Sequence, residues 1–379
     1  MFTVGLDVHQ SRSSLCILDA LGKVVRQQEV KGHPSLVVEA LRKFKAEAKE
    51  PFQVCFEAST GYGVLHDSLA PLAARVAVAH PGKLRLIFQC KKKNNRVDAA
   101  KLASILHLGQ VPEVHVPAQE VRSWRGFIEY RRSLVDKMVA VKNQLRGLLR
   151  GLGIKALPGK GQWTKAGVEW LRAAELPTAF DRSRREILLD ELESLQGRIA
   201  KANGELDEFA KGHAGVALLR TVPGVGPRTA EAFVAYVDDP HRFGSNTIGS
   251  YLGLIPREDS SGSRRRMGHV TREGPPTLRK LLTEAAWRGV REDETMKAAC
   301  ERLLRGDKGR KKLAVVALAH RLGRIMLAML KSGEAYRGAA GGSAGTPAVP
   351  PAAAEIPTPP PAGTPEAAAA KDAAGSPAP

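Results

Sequence analysis

Over residues 2–30 apolar and polar side chains alternate, as in Thr3-Val4-Gly5-Leu6-Asp7-Val8 and Ser13-Ser14-Leu15-Cys16-Ile17-Leu18-Asp19. Leu21-Gly22 then breaks the run before Lys23-Val24-Val25. A period of two puts successive side chains on opposite faces of a strand, so this segment predicts a β-meander. Helical spacing follows over 35–46, a strand over 53–57, a helix over 62–72 and a short buried strand over 76–79, entered from Arg75. Three strands and a helix, then strand and helix by turns, describe an α/β domain.

The pattern changes at about residue 119. From 119 to 152 it is helical and densely basic, with Arg122, Arg125, Arg131, Arg132, Lys137, Lys142, Arg146 and Arg150. A second long helix is predicted over 182–211, with i, i+4 charge pairs and the apolar spacing Ile187, Leu188, Leu192, Leu195, Ile199. Two such helices flanking Pro158-Gly159-Lys160-Gly161 predict an antiparallel coiled coil or spacer, whose seam either joins two chains or closes within one. A third region, mainly helical, runs over 214–333: helix, Pro223-Gly224-Val225-Gly226-Pro227, helix, an irregular basic loop, and a long apolar helix over 311–330. Beyond Gly338 the composition collapses to Ala, Pro, Gly and Thr, which buries too little apolar surface to offset ordering entropy, so 338–379 is expected to be disordered. The expected divisions are 1–116, 117–213, 214–333 and the tail.

Charge sharpens this picture. The 379 residues include 58 Lys or Arg and 39 Asp or Glu, a formal +19, and without the acidic tail the body is near +21. A surface so basic expects a phosphate backbone as its partner. No run of eighteen apolar residues is read in the sequence, and Met1 leads straight into strand-like sequence without a basic n-region, so neither a membrane span nor a signal peptide is expected, and a cytoplasmic location is. Cys16, Cys55, Cys90 and Cys300 lie far apart with no C-x-x-C pair and read as isolated thiols rather than a zinc or disulfide framework.

Three acids stand out in the first region. Asp7 lies in mid-strand, Glu57 ends another strand, and Asp98 opens a helix after Lys91-Lys92-Lys93-Asn94-Asn95-Arg96. Taken singly each reads as a cap or a surface charge, Asp98 as a cap for a helix over 99–106. Taken together, carboxylates at neighbouring strand ends are costly unless a cation neutralises them, and Mg²⁺, which takes oxygen ligands and contacts phosphates, suits such a set.

In the third region, Leu218-Leu219-Arg220-Thr221-Val222-Pro223-Gly224-Val225-Gly226-Pro227-Arg228-Thr229-Ala230 fits a helix-hairpin-helix turn, in which Gly224 and Gly226 let backbone amides approach a DNA phosphate. The other reading is a tight helix–helix turn with no ligand. Downstream, Asp259-Ser260-Ser261-Gly262-Ser263-Arg264-Arg265-Arg266 reads locally as a flexible loop whose arginines hold a backbone.

The order of these motifs is what identifies them. Gly5-Leu6-Asp7-Val8-His9, Phe56-Glu57-Ala58-Ser59-Thr60-Gly61 and the 93–99 segment, followed by basic helices, resemble the RuvC-like (RNase H-like) DEDD domain of IS110-family transposases. His241-Arg242-Phe243, Tyr251-Leu252-Gly253-Leu254-Ile255-Pro256 and the 259–274 stretch resemble the same family's C-terminal domain. The family's third and fourth acids usually stand in Lys-Thr-Asp-x-x-Asp-Ala. Here the match is Lys93-Asn94-Asn95-Arg96-Val97-Asp98-Ala99, with Asn95 at the third acid. An amide oxygen can coordinate Mg²⁺ but brings no charge.

The resemblance implies an RNA-guided recombinase of donor and target DNA. It implies Asp7, Glu57, Asn95 and Asp98 around Mg²⁺, and Ser261, from the family's Ser-Gly motif, as nucleophile. It also implies composite sites shared between protomers of a dimer or tetramer, and a structured bridge RNA that pairs with both DNAs. Arg257, Arg264, Arg265 and Arg266 stand near enough in sequence to stabilise charge on phosphorus, and Arg131, Arg132, Lys142 and Arg146 are candidate backbone contacts. Two rivals differ in class: a metal-dependent junction nuclease using the acids alone, and a non-catalytic nucleic-acid binding protein.

Overall fold

The computed structural model describes residues 1–88, 95–155, 157, 161–244, 247–261 and 266–338. The chain begins with β1 (Phe2–Val8), β2 (Arg12–Leu18) and β3 (Val24–Lys31), the predicted meander, then α1 (Ser35–Ala48), β4 (Phe52–Glu57), α2 (Tyr62–Leu69), β5 (Arg75–Ala79), α3 (Pro81–Ile87) and α4 (Asn95–His107). The sheet order is β3-β2-β1-β4-β5, with β1 antiparallel to β2 and parallel to β4, and β4 parallel to β5.

The two faces of this sheet differ, and the alternation explains why. Val4, Leu6, Leu15, Ile17, Phe52, Val54, Phe56 and Val78 point one way and are sealed by Val37, Leu41 and Phe44 of α1 and Leu65 and Leu69 of α2. The residues between them, among them Gly5, Cys16, Cys55 and Ala77, face α4, whose Ala99 and Ala103 are fully buried. Gly5 is what permits the close approach: a Cβ there would lie 2.1 Å from the Ala99 carbonyl oxygen and 2.3 Å from the Ala103 nitrogen. Helix and strand therefore meet backbone to backbone.

The long helices follow as α5 (Gln119–Gly151), α6 (Lys165–Ala173) and α7 (Ala179–Ala210). At 1.5 Å per residue α5 is about 50 Å long. Leu134, Val141, Leu145, Leu148 and Leu149 bury against Leu188, Leu189, Leu192, Leu195 and Ala202, so this seam closes within one chain. The loop residues Pro158, Gly159 and Lys160 lie outside the described residues.

The remainder comprises α8 (Ala214–Leu219), α9 (Pro227–Val237), α10 (Thr247–Leu252), the hairpin strands β6 (Pro256–Glu258) and β7 (Met267–Val270), α11 (Pro276–Glu292), α12 (Glu294–Leu304) and α13 (Lys311–Ser332). Their shared core takes in Trp124 and Ile128 of α5 and Leu206 of α7, so one end of the long hairpin is built into it. One expectation is corrected here. The irregular basic loop contains an antiparallel β-hairpin, invisible to periodicity because its strands are short and largely exposed. The stretch Lys308–Ser332 is long and apolar enough to cross a membrane, with a mean hydropathy of 1.7 over its most apolar window, although half of that window is buried in the protein. Cys16, Cys55 and Cys300 are buried free thiols, and burial pushes the Cys55 thiol up to about 12. Cys90 and residues 339–379, which hold most of the predicted tail, lie outside the described residues.

Candidate active site

Register brings the acids together. In β1 and β4, Gly5 pairs with Cys55 and Leu6 with Phe56, so the next step up the parallel ladder sets Asp7 beside Glu57. Both lie on the face that carries Gly5 and Cys55, the face covered by α4, because side chains two residues apart share a side. Asp98 immediately precedes Ala99, whose carbonyl sits over Gly5. It occupies the first turn of α4, which starts at Asn95, so the reading of Asp98 as a cap for a helix over 99–106 is corrected. Asn95 and Asp98 stand three residues apart on that helix, nearly one turn; of the Asn95 side chain nothing is described.

Three neighbours were not singled out by sequence. His9 Nε2 lies 3.4 Å from Asp7 Oδ2, and Lys101 Nζ 3.5 Å from Asp98 Oδ1. Ser14 is the cross-strand partner of Asp7 in β2, and its hydroxyl is buried with no hydrogen-bond partner among the described residues. Cross-strand pairing was the signal for Ser14, since residues directly opposite share a face. The donors here are carboxylate and hydroxyl oxygens, the kind a hard divalent cation takes, and the orphaned Ser14 oxygen beside Asp7 fits such an ion. Among the described residues, however, no three His, Cys, Asp or Glu side chains are close enough to form a metal-holding group.

The second candidate lies in the β6–β7 hairpin. Its base is crossed tightly. Gly253 (φ +63°) and Gly274 (φ +75°) are both left-handed, and a Cβ would lie 2.0 Å from the Glu273 carbonyl oxygen at the first and 1.8 Å from that of Tyr251 at the second. Arg279 of α11 donates to the carbonyls of Leu252 and Glu273, at 3.2 and 2.8 Å, bracketing the hairpin on both sides. Beyond β6, Ser260 Oγ donates to Glu258 Oε1 at 2.9 Å and accepts from the Arg266 N–H at 3.2 Å. Ser260 is thus tied into the turn, and Ser261 follows it as an exposed residue. Arg257 and Arg266 are exposed on the same hairpin; Arg264 and Arg265 lie outside the described residues.

Comparison with known proteins connects the two candidates. A family model described as Transposase matches residues 4–154, and one described as Transposase IS116/IS110/IS902 family matches residues 216–301. A probable family 20 transposase of Pseudomonas aeruginosa is 32% identical over 254 residues, covering 65% of this chain and 75% of that protein. The transposase for insertion sequence element IS1111A of Coxiella burnetii is 26% identical over 340 residues, 88% of this chain and 91% of that protein. The transposase for insertion sequence element IS1533 of Leptospira borgpetersenii is 26% identical over 299 residues, 75% and 84%. The chain belongs to the IS110 family of transposases.

The first match spans Asp7, Glu57, Asn95 and Asp98 of this transposase and the whole of its first long helix. The second spans Gly224, Gly226 and Ser261. The remaining candidates are placed unevenly. Gly224 (φ +82°) faces α11, where a Cβ would lie 2.5 Å from the Gly289 nitrogen, so helix packing accounts for it; Gly226 is more open, with Arg288 Nη1 3.7 Å away. Arg131 Nε donates to Asn203 Oδ1 at 2.9 Å, and Arg132 donates to Thr277 Oγ1 and pairs with Glu129 and Asp136, so both are engaged within the chain. Lys142 and Arg146 stack on the Trp163 ring, 5.2 and 5.0 Å from its centroid, and burial together with Arg146 pushes the Lys142 ammonium down.

Proposed function

We propose that this transposase cuts and rejoins donor and target DNA through a covalent serine–DNA bond formed by Ser261, guided by a structured bridge RNA. The observation that carries this reading lies in the hairpin, where both serines are exposed and the Ser260 hydroxyl is already engaged by Glu258 and the Arg266 N–H, with Ser261 next to it. In the proposed step the Ser261 oxygen bonds to phosphorus, its proton goes to a base, and the P–O ester bond of the DNA breaks, the departing oxygen taking a proton to become a strand-end hydroxyl. Rejoining is the reverse with another strand's hydroxyl, so the phosphoester bond is conserved without an external energy source. Arg257 and Arg266, with Arg264 and Arg265, supply positive charge toward the phosphate.

Asp7, Glu57, Asp98 and the Asn95 amide would hold Mg²⁺. Bound there, the ion would polarise a phosphoryl oxygen. His9 and Lys101, beside Asp7 and Asp98, orient those carboxylates, and the Lys101 ammonium offsets the charge of Asp98. The acids and Ser261 act in composite sites of a dimer or tetramer, the divisions 1–116, 117–213 and 214–333 serve as acid-bearing, spacer and nucleophile domains, and the enzyme works in the cytoplasm. Base pairing by the guide RNA supplies sequence choice while the basic body holds backbone phosphates.

The test is a denaturing gel of the protein with its RNA and end-labelled DNA. A detergent-stable shift of label to protein mass is expected, lost in Ser261→Ala with DNA binding retained, and kept in Ser260→Ala. Cleavage that persists in Ser261→Ala, without adduct, would overturn the covalent reading in favour of a metal nuclease using the acidic face.

A further inference from the structure

Where α5, α9 and α11 meet, remote in sequence from the acids and the hairpin tip, lies a cavity of about 230 Å³, several times the roughly 30 Å³ of one liquid water. Arg131 and Arg132 line it from α5, Arg228 and Glu231 from α9, Thr277 and Lys280 from α11, and the exposed Lys280 and Glu284 form its mouth.

Its polar groups satisfy one another only in part, through Arg228 to Glu231 and Arg132 to Thr277. Glu231 is 1% exposed; Oε1 accepts from Arg228 Nη2 at 2.8 Å, but Oε2 is buried with no hydrogen-bond partner among the described residues. Arg132 Nε is buried with no hydrogen bond, its contact being the Asp136 carboxylate at 3.6 Å. Arg131 is pushed down by its burial and by the neighbouring Arg228, with Glu231 and Glu284 pulling the other way. A buried polar atom without a partner is costly, more so when charged, so these groups favour an occupant that accepts from several guanidiniums and donates to one carboxylate.

Few chemical groups meet both demands. An ammonium or guanidinium is repelled by Arg131, Arg132, Arg228 and Lys280. Sulfate and the phosphodiesters of nucleic acid accept but carry no hydroxyl to donate. Hydrogen phosphate has three acceptor oxygens and one O–H, and its negative charge relieves the crowded cations.

We propose that this cavity is a binding site for free inorganic phosphate, its oxygens held by Arg131, Arg132 and Lys280 and its hydroxyl donating to Glu231. The site is separate from the serine chemistry and does not rest on it. A phosphate there ties the long hairpin to α9 and α11 through one ligand, and so fixes their arrangement as the phosphate concentration rises.

Burial pushes the Glu231 carboxyl up to about 7, against the opposing pull of Arg228 and Arg131, with Asp207, Arg220, Lys280 and Glu284 also nearby. The test therefore uses pH 8, where the carboxylate is ionised and inorganic phosphate keeps one hydroxyl. Calorimetric titration of the full-length protein with sodium phosphate and with sodium sulfate, at matched ionic strength, is expected to show phosphate binding at least ten-fold tighter. Glu231→Gln, whose amide can donate, is expected to erase or reverse that preference, and Arg131→Ala to weaken both anions, each variant checked for unchanged circular dichroism. A 5′-phosphorylated oligonucleotide, whose terminal group has lost its last proton at this pH, is expected not to compete. Equal affinity for the two anions, or no binding of either, overturns the proposal without any variant being made. Competition by the oligonucleotide overturns the assignment to free phosphate.

Discussion

The acidic face and the serine hairpin are held in place by opposite means. Asp7 and Glu57 stand on adjacent parallel strands with a sealed core on one side and α4 pressed backbone to backbone on the other, so the sheet fixes their relation. Ser261 follows the first of two short strands with little core of their own, in a hairpin crossed at the base by Gly253, Gly274 and Arg279 and tied at the turn through Ser260. One site is framed by the sheet and the helix packed on it, although Glu57 itself is exposed; the other stands at the exposed turn of a two-stranded hairpin. In the proposed serine step the first gives a fixed frame for charge and the second the nucleophile.

That contrast can be broken most severely at Gly5. Gly5→Val forces a side chain into the Ala99 and Ala103 backbone and is expected to cost about 3 kcal/mol or more, with loss of soluble protein or a large fall in urea midpoint, and loss of activity. Next comes Gly274→Ala, which strains a left-handed residue against the Tyr251 carbonyl. It is expected to cost about 1–3 kcal/mol locally and at least ten-fold in strand cleavage, while hydrogen exchange of the five-stranded sheet stays unchanged. If that exchange changes too, the two sites are not mechanically independent.

Sequence reached the sheet site more fully than the hairpin site, for a physical reason. One face of the sheet packs large apolar side chains on α1 and α2 while the other meets the α4 backbone with small or polar ones, so β1, β2 and β4 alternate and were readable with nearly their observed limits, and Asp7 and Glu57 with them. Ser14 was missed because its importance lies in a cross-strand register that no single segment displays. The β6–β7 hairpin was missed because its strands are exposed and rich in charge, where no burial demand writes a pattern. Gly224, Arg131 and Arg132 were read as contacts for nucleic acid; Gly224 packs on α11, and Arg131 and Arg132 each already make a contact within the chain while also lining the cavity beside Glu231, which composition alone does not distinguish.

Smaller effects sharpen the comparison. Asn95→Asp restores a second carboxylate one turn from Asp98 and is expected to tighten Mg²⁺ binding several-fold and raise recombination, read by metal titration and product yield; no gain in either would show that Asn95 is not a weakened ligand. Removing 338–379 is expected to change neither thermal midpoint nor activity by more than about two-fold, because its composition offers little to pack. A marked loss would assign the tail a role that its composition does not suggest.

The central claim is that Ser261, not its tied neighbour, bonds to DNA. Mass spectrometry of a protease digest of the trapped protein–DNA adduct tests it most directly. The account predicts a nucleotide phosphate mass on the peptide containing both serines, with fragment ions placing it on Ser261. Fragments that place it on Ser260, or a DNA cleavage product with no modified peptide at all, would contradict it.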